Sequence, residues 1–570
     1  MHTKPHKQAF RRKYTDKGVR HMHMFIQKLY TFSCRFIQFF SFVLALLLFL
    51  GSFLATCYST DMVSQQVLTR LDNPLWNLAG TALLTCMVFL AARSCKDRRR
   101  TFFLTVIVLL WACVTGALLI VYGKTVPAAD AMSVYAAAQD LAGGSTAVIH
   151  PTDSYLSYYP QQMGLVAFFE VLIRFWNLLS FQAPAYHFIK CVYVLLACVI
   201  LFFQKMTVRL LFQDSKAENI YLILAACNLP FLMYTSFVYG EIPSFAAISG
   251  GFYFLLRLLA RKGPRRNIWR DATASLLLLA LGVMLRKNTL ILVIAVLIVV
   301  LLQGMKEKRY GLFVFALICA WSCFSILPLV QKGYEWRAGA SLKSGVPAMS
   351  YFAMGMQESS RGNGWYNGYN FNTYQNTGMD TEATNALSRE AIRERLSYFQ
   401  AHPAYMGDFY LHKHLSQWAD GTYACRQATL ATFGGRSSLF QSLYEGSLSR
   451  SFIEYCNLFQ TLLYLGTVLF CCRPFRHAWK HPRIPGPDTT PGTKSREMAV
   501  PVPPASQASL QGLPLYLGLI GVIGGFLFHI IWEANSRYIF LYSLLLMPYC
   551  ARGLSTFPDL RSFFSRRPPQ

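Results

Sequence analysis

The sequence predicts an all-α polytopic membrane protein with about twelve transmembrane helices, outer interfacial helices and one large extracytoplasmic loop. Three observations predict it. Of 570 residues, 54% are hydrophobic and 14% charged, whereas a soluble chain carries about 25% charged residues. Apolar runs of about 20 residues, the length that crosses the hydrocarbon, begin near Phe36, Trp76, Phe102, Tyr186, Tyr221, Ile242, Ala272, Thr289, Leu312, Asn457, Gly512 and Arg537. The net charge of +27 is concentrated in short segments between those runs, which is the positive-inside pattern of a membrane protein and not the footprint of a nucleic-acid binder.

The basic segments fix the sidedness. Arg11 to Lys13, Lys96 to Arg100, Lys205 to Lys216, Arg261 to Arg266, Lys306 to Arg309, Arg473 to Arg496 and Arg561 to Arg567 are expected in the cytoplasm. The chain then divides into a basic cytoplasmic tail (1–35), an N-terminal membrane domain (36–330) with an outer loop at 122–185, an extracytoplasmic loop domain (331–455), C-terminal membrane helices (456–552) with a cytoplasmic linker (473–511), and a cytoplasmic tail (553–570). Gln161 to Leu179 is apolar, but counting it as a crossing would put Lys205, Arg209 and Lys216 outside. It is expected to lie at the outer face, with Glu170 and Arg174 four apart on one side of a helix. The long basic tail before the first run does not fit a cleaved signal peptide. Pro485 to Ser506, rich in Pro, Ser and Thr, is expected to be disordered. In the large loop two helices are expected, Thr381 to Gln400 and Ala404 to Trp418, because Pro403 disfavours helix at His402. The 15 cysteines lack CxxC or Cys/His spacing and read as small buried hydrophobes, with neither a disulfide framework nor a metal site.

Ionisable residues at the outer ends of spans are the candidates for chemistry. Asp130 precedes the helix-forming run Ala131 to Ala142, where it either caps the helix or acts as a general base; Asp140 and Asp153 share its loop. Glu241, after Gly240, either complements a helix dipole or serves as a second acid of the site. Arg286 and Lys287 fall outside, against the positive-inside bias, and either snorkel to headgroups or bind a phosphate. Lys190 and Arg537 are near the same face. Glu533 and Arg537 are four apart and would pair on a helix. Trp365, Tyr366 and Tyr369 either pack the loop's own core or stack on sugar, with core packing the default.

Asp130 with Tyr135 and Ala138, Tyr158 to Gln162, Tyr239 to Pro243, Arg286 to Asn288, Gly362 to Asn367 and Trp532 to Tyr538 together resemble the GT-C superfamily of membrane glycosyltransferases. The resemblance is to bacterial relatives of the protein O-mannosyltransferases and the lipid A aminoarabinose transferases. It implies inverting transfer of a sugar from a polyprenyl-phosphate carrier to an extracytoplasmic acceptor, at the outer face of a multi-pass protein of the cell membrane. By that resemblance Asp130 is the candidate base and Glu241 a second catalytic acid. Lys190, Arg286, Lys287, Arg537, Glu533, Tyr158, Tyr159, Gln162 and Trp365 are the candidate substrate-binding residues. The expected partners are the lipid-linked donor, the acceptor and the bilayer, with no nucleic acid. No cofactor is required by the sequence, and a divalent cation is left open. The chain departs from the family in having Ala131 after Asp130 and Gln161 after Pro160, where paired acids and a Pro-Pro are common. A transporter or flippase of lipid-linked saccharides is the competing reading. Such proteins more often place charge near the midplane.

Overall fold

The computed structural model describes residues 5–59, 64–93, 98–150, 154–180, 183–260, 265–472 and 510–556. Asp153, the 485–506 linker and the basic clusters at 473–496 and 561–567 lie outside the described residues. The first helix, α1 (Pro5–Leu54), runs unbroken from the expected tail into the first span, and its apolar part is His21–Leu54. It leads into a hairpin of β1 (Ala55–Ser59) and β2 (Val67–Leu71), antiparallel with Ala55 opposite Leu71 and Ser59 opposite Val67. This short hairpin is an addition to the helical fold that the sequence did not predict: the segment saturates its backbone groups across the pair, and Cys57 N–H donates onward to Ala419 O at 2.9 Å.

The helices that follow are α2 (Pro74–Arg93), α3 (Arg98–Gly123), α4 (Asp130–Ala142), α5 (Tyr155–Tyr158), α6 (Met163–Leu178), α7 (Ala185–Phe212), α8 (Ser215–Cys227), α9 (Leu229–Tyr234), α10 (Glu241–Ala260), α11 (Arg265–Leu285), α12 (Leu290–Glu307) and α13 (Tyr310–Ala338). The large loop adds α14 (Ala348–Gly355), α15 (Tyr369–Asn376), α16 (Thr381–Ala401), α17 (Pro403–Trp418), α18 (Cys425–Ala428) and α19 (Ser438–Glu445). The chain closes with α20 (Ser449–Cys471), α21 (Leu517–Ile531) and α22 (Ser536–Ser555).

Among the described residues, nine helices are long and apolar enough to cross a membrane, so the chain is a predominantly helical, multi-pass membrane protein. Three of the expected runs are not among those nine, for two reasons. Near Tyr221 the helix stops at Cys227, where Asn228 accepts the N–H of Phe231 at 3.1 Å and Pro230 opens α9. By contrast, α20 and α22 are 23 and 20 residues long but more polar. They pack on each other, α20 packs also on α1, and most of their side chains are buried, so they meet protein where a lipid-facing helix would need an apolar surface.

The outer pieces interlock over one end of the bundle. Val126 N–H donates to Ala431 O, Phe433 N–H to Lys124 O, and Val67 N–H to Arg361 O, at 2.9 to 3.1 Å. Helix α6 packs against α4 and is not one of the nine spans, as its Glu170 and Arg174 suggest. Glu170 accepts from Arg174 (2.8 Å), Arg337 (2.6 Å) and Tyr334 (2.5 Å), and both guanidiniums reach Leu141 O at 2.8 Å. In the large loop Asp380 caps α16 through the N–H groups of Glu382 and Ala383, and the helix breaks at His402 before Pro403. At the opposite end of the bundle, Arg309 reaches the carbonyls of Leu258 and Leu259, Lys205 pairs with Glu218 at 3.5 Å, and Arg552 pairs with Asp214.

Candidate functional site

Where α10, α11, α12, α21 and α22 end beneath the outer layer, they enclose a cavity of about 820 Å³. Its floor is built on one buried carboxylate. Glu241, 1% exposed at the first residue of α10, pairs with Arg286 and sits 3.7 Å from Arg537 Nε. Arg286 is extended, φ −156°, before the short turn Lys287–Thr289, whose Thr289 hydroxyl donates back to Arg286 O at 2.8 Å. Arg537 follows Asn535, which caps α22 by accepting the N–H of Arg537 itself at 2.9 Å. Gly240 lets this floor close: a Cβ there would stand 2.9 Å from Leu285 O. Each guanidinium also faces aromatic rings, Arg286 over Tyr538 at 6.0 Å and Arg537 over Tyr239 at 5.5 Å.

The wall is different. Asp130 is the first residue of α4, after Ala129 at φ 48°, and its side chain makes no capping bond. The backbone N–H groups of Ala131, Met132 and Ser133 turn back to the carbonyls of Ala128 and Ala129. The capping role expected of Asp130 is therefore already filled by the main chain. Its carboxylate is exposed and lines the cavity.

Glu533 also lines the cavity, 7% exposed. The expected helical pair with Arg537 is corrected: α21 ends at Ile531 and α22 starts at Ser536, so the two residues share no helix. Glu533 instead accepts from Tyr538 Oη at 3.3 Å. Burial pushes its carboxyl up to about 7, against the pull of Arg537 and Tyr538, and the Asp130 charge adds to the rise. Its loop is rigid. Ala534 N–H donates to Gly364 O at 2.7 Å, and Trp532 stacks on Tyr351 with ring centroids 4.8 Å apart. Beneath it the buried Lys413 Nζ donates to the carbonyls of Gly355 (2.5 Å), Ile530 (2.9 Å) and Trp532 (2.9 Å). Gly364 makes room for that amine, since a Cβ would come 2.7 Å from Lys413 Cε.

Of the other candidates, Lys287, Tyr159, Gln162 and Trp365 line the cavity. Gln162 Nε2 donates to Tyr239 Oη at 2.6 Å. Trp365 follows the core-packing expectation, for it is 4% exposed and its Nε1 donates to Ser416 Oγ at 2.8 Å. Two candidates turn away. Lys190 is fully buried and donates to Thr125 O at 2.9 Å, which anchors the strand leading to α4. Tyr158 packs on Phe371, with ring centroids 4.7 Å apart, in a small core of its own. Glu241 lies under the guanidiniums, outside the cavity lining, and has the geometry of their counter-ion where a second catalytic acid was expected. Asp140 is exposed near the far end of α4 and is not part of the lining.

Sequence reasoning missed Tyr155, Arg361, Asn370, Asp420 and Gln427, all of which line the cavity. Asp420 accepts from Thr422 N–H (2.9 Å), Thr422 Oγ1 (2.6 Å) and Ser536 Oγ (2.6 Å), and burial still raises its carboxyl. An Asp two residues before a Thr is a local turn signal; the Ser536 contact has no local signature. One flank of the cavity is apolar, formed by Ile291 and Ile294 of α12 and Phe324 of α13, and both Ile294 and Phe324 are exposed.

Fold and site define a multi-pass helical membrane protein with a cation-floored polar cavity at one end of its bundle and an apolar flank beside it. No protein-family model and no curated protein matches the chain.

Proposed function

We propose that the protein is a GT-C-like membrane glycosyltransferase of the cell membrane, with twelve crossings and the cavity on the extracytoplasmic face. It transfers a sugar from a polyprenyl-phosphate carrier to an outer acceptor with inversion. The observation that carries the reading is the open carboxylate of Asp130 in the same cavity as Arg286, Lys287 and Arg537. Asp130 takes the proton of the acceptor hydroxyl as its oxygen attacks the anomeric carbon. The bond from that carbon to the carrier phosphate breaks, and its electron pair leaves on the phosphate oxygen. Arg286, Lys287 and Arg537 stabilise the charge that grows there, and Glu241 holds the two arginines in place. The apolar flank at Ile291, Ile294 and Phe324 suits a donor whose phosphate is tethered to a lipid.

The test is reconstitution of purified protein in liposomes with each donor class separately. Transfer from a polyprenyl-phosphate sugar, and none from a nucleotide sugar, is the expected outcome. Efficient use of a nucleotide sugar with no lipid carrier overturns the mechanism, and movement of the lipid-linked sugar across the bilayer without transfer replaces it with a flippase.

A further inference from the structure

The cavity has cations of two kinds. Arg286 and Arg537 share Glu241. Arg361, on the opposite outer-loop wall, has no carboxylate within ion-pair distance among the described residues. Its guanidinium donates to the neutral Gln65 Oε1 at 3.0 Å and lies over the Tyr366 ring at 5.3 Å. Its backbone is held independently, with Arg361 O accepting Val67 N–H at 2.9 Å and Arg361 N–H donating to Ser359 Oγ at 3.1 Å. A half-buried guanidinium fixed against a ring, with the Glu533 carboxyl near enough to feel its charge but no carboxylate in ion-pair contact, is arranged for an incoming oxyanion.

The cavity lining also holds buried acceptor atoms with nothing to accept. Asn370 is 1% exposed and lines the cavity, and its Oδ1 has no hydrogen-bond partner; Gln427 Oε1 is likewise buried and unpartnered. Buried carbonyl oxygens of this kind are costly unless a donor reaches them. Hydroxyl groups are such donors, and the half-buried Tyr366 ring offers the apolar face of a sugar a surface to lie on.

We propose that Arg361, Asn370 and Gln427 bind the acceptor, and that the acceptor is an acidic saccharide: its hydroxyls donate to Asn370 and Gln427, and its carboxylate or phosphate pairs with Arg361. This deepens the glycosyltransferase reading and rests on it. It separates the cations by task, with the Glu241-bound pair for the donor and Arg361 for the acceptor.

Binding is measured on the full chain in lipid nanodiscs, without any lipid donor, by calorimetric titration of four probes. These are a neutral disaccharide, the same disaccharide ending in a uronic acid, its phosphate ester, and a Ser/Thr-rich peptide. At least one acidic disaccharide is expected to bind about tenfold more tightly than the neutral one, as a charge-assisted hydrogen bond supplies. The tighter of the two assigns carboxylate or phosphate. Arg361→Gln should erase the preference for the acidic disaccharides over the neutral one, and Arg361→Lys should keep part of it. Equal binding of acidic and neutral disaccharides overturns the proposal without any variant, as does a preference that survives in Arg361→Gln or a peptide that outcompetes every saccharide. The two readings fail separately. Acidic-saccharide binding with no sugar transfer on reconstitution keeps the site and sinks the reaction, whereas transfer only to neutral or peptide acceptors keeps the reaction and sinks the site.

Discussion

The floor and the wall of the cavity carry similar residues in opposite states. On the floor, Glu241 is buried and bound to two guanidiniums; on the wall, Asp130 is exposed and unbound, and Arg361 has only a neutral partner. A carboxylate enclosed by cations is structural material, because it is committed in every state of the molecule. One whose helix already satisfies its own first turn is left open to the cavity. The difference teaches that a carboxylate at the first residue of a helix, which Asp130 and Glu241 share, does not by itself assign a role; the neighbours do.

The largest test of that contrast is Glu241→Gln. Removing a buried counter-ion leaves Arg286 and Arg537 facing each other uncompensated, a cost of about 3–5 kcal/mol. The variant should melt far below the wild type in detergent and lose its monodisperse elution. Normal melting would return Glu241 to the catalytic role.

Glu533 is the intermediate case, buried but not enclosed by a salt bridge. Its carboxyl is at about 7 in the folded protein against an ordinary value of 4.5, so the folded state binds the proton more tightly than the unfolded one. The contribution to stability is therefore full below 4.5 and is lost as pH rises through 7, which amounts to about 3 kcal/mol. Melting temperatures measured across that interval should fall for the wild type and stay flatter for Glu533→Gln. Parallel curves for the two proteins would show that the carboxyl does not titrate there.

Asp130→Asn has the smallest effect on the fold and a large one on turnover. The amide keeps the shape of the side chain but takes no proton, so melting should be unchanged while single-turnover transfer drops ~100-fold or more. Near-normal turnover would erase the distinction between wall and floor.

Much of the fold was legible because hydropathy and punctuation are local. Runs of apolar residues marked the spans, and Asp380 and Pro403 marked the ends of α16 and α17 to within a few residues. Helix α6, where Glu170 and Arg174 pair, is not one of the candidate spans, as expected. What escaped was long-range. The hairpin of β1 and β2 has no strong local signal, since its strands are short and their pairing depends on contacts as distant as Ala419. Glu533 and Arg537 had helical spacing, but Asn535 caps a new helix between them. The candidates at Lys190 and Tyr158 had suitable chemistry at a suitable depth, and only packing shows that both point elsewhere. Arg361 lay beside the quoted Gly362 to Asn367 motif, yet its importance comes from what it lacks, and a missing partner leaves no mark in a sequence.

Lys413 illustrates a constraint of stoichiometry. An ammonium group has three hydrogens, and three carbonyls, those of Gly355, Ile530 and Trp532, meet it. A neutral amine has only two hydrogens, so deprotonation would orphan one carbonyl at the base of the Glu533 loop. Methionine, of similar length, would orphan all three, and any side chain at Gly364 would press on the lysine stem. The joint between the large loop and the last two helices is thus a three-way knot tied by protons, and its valence matches one side chain.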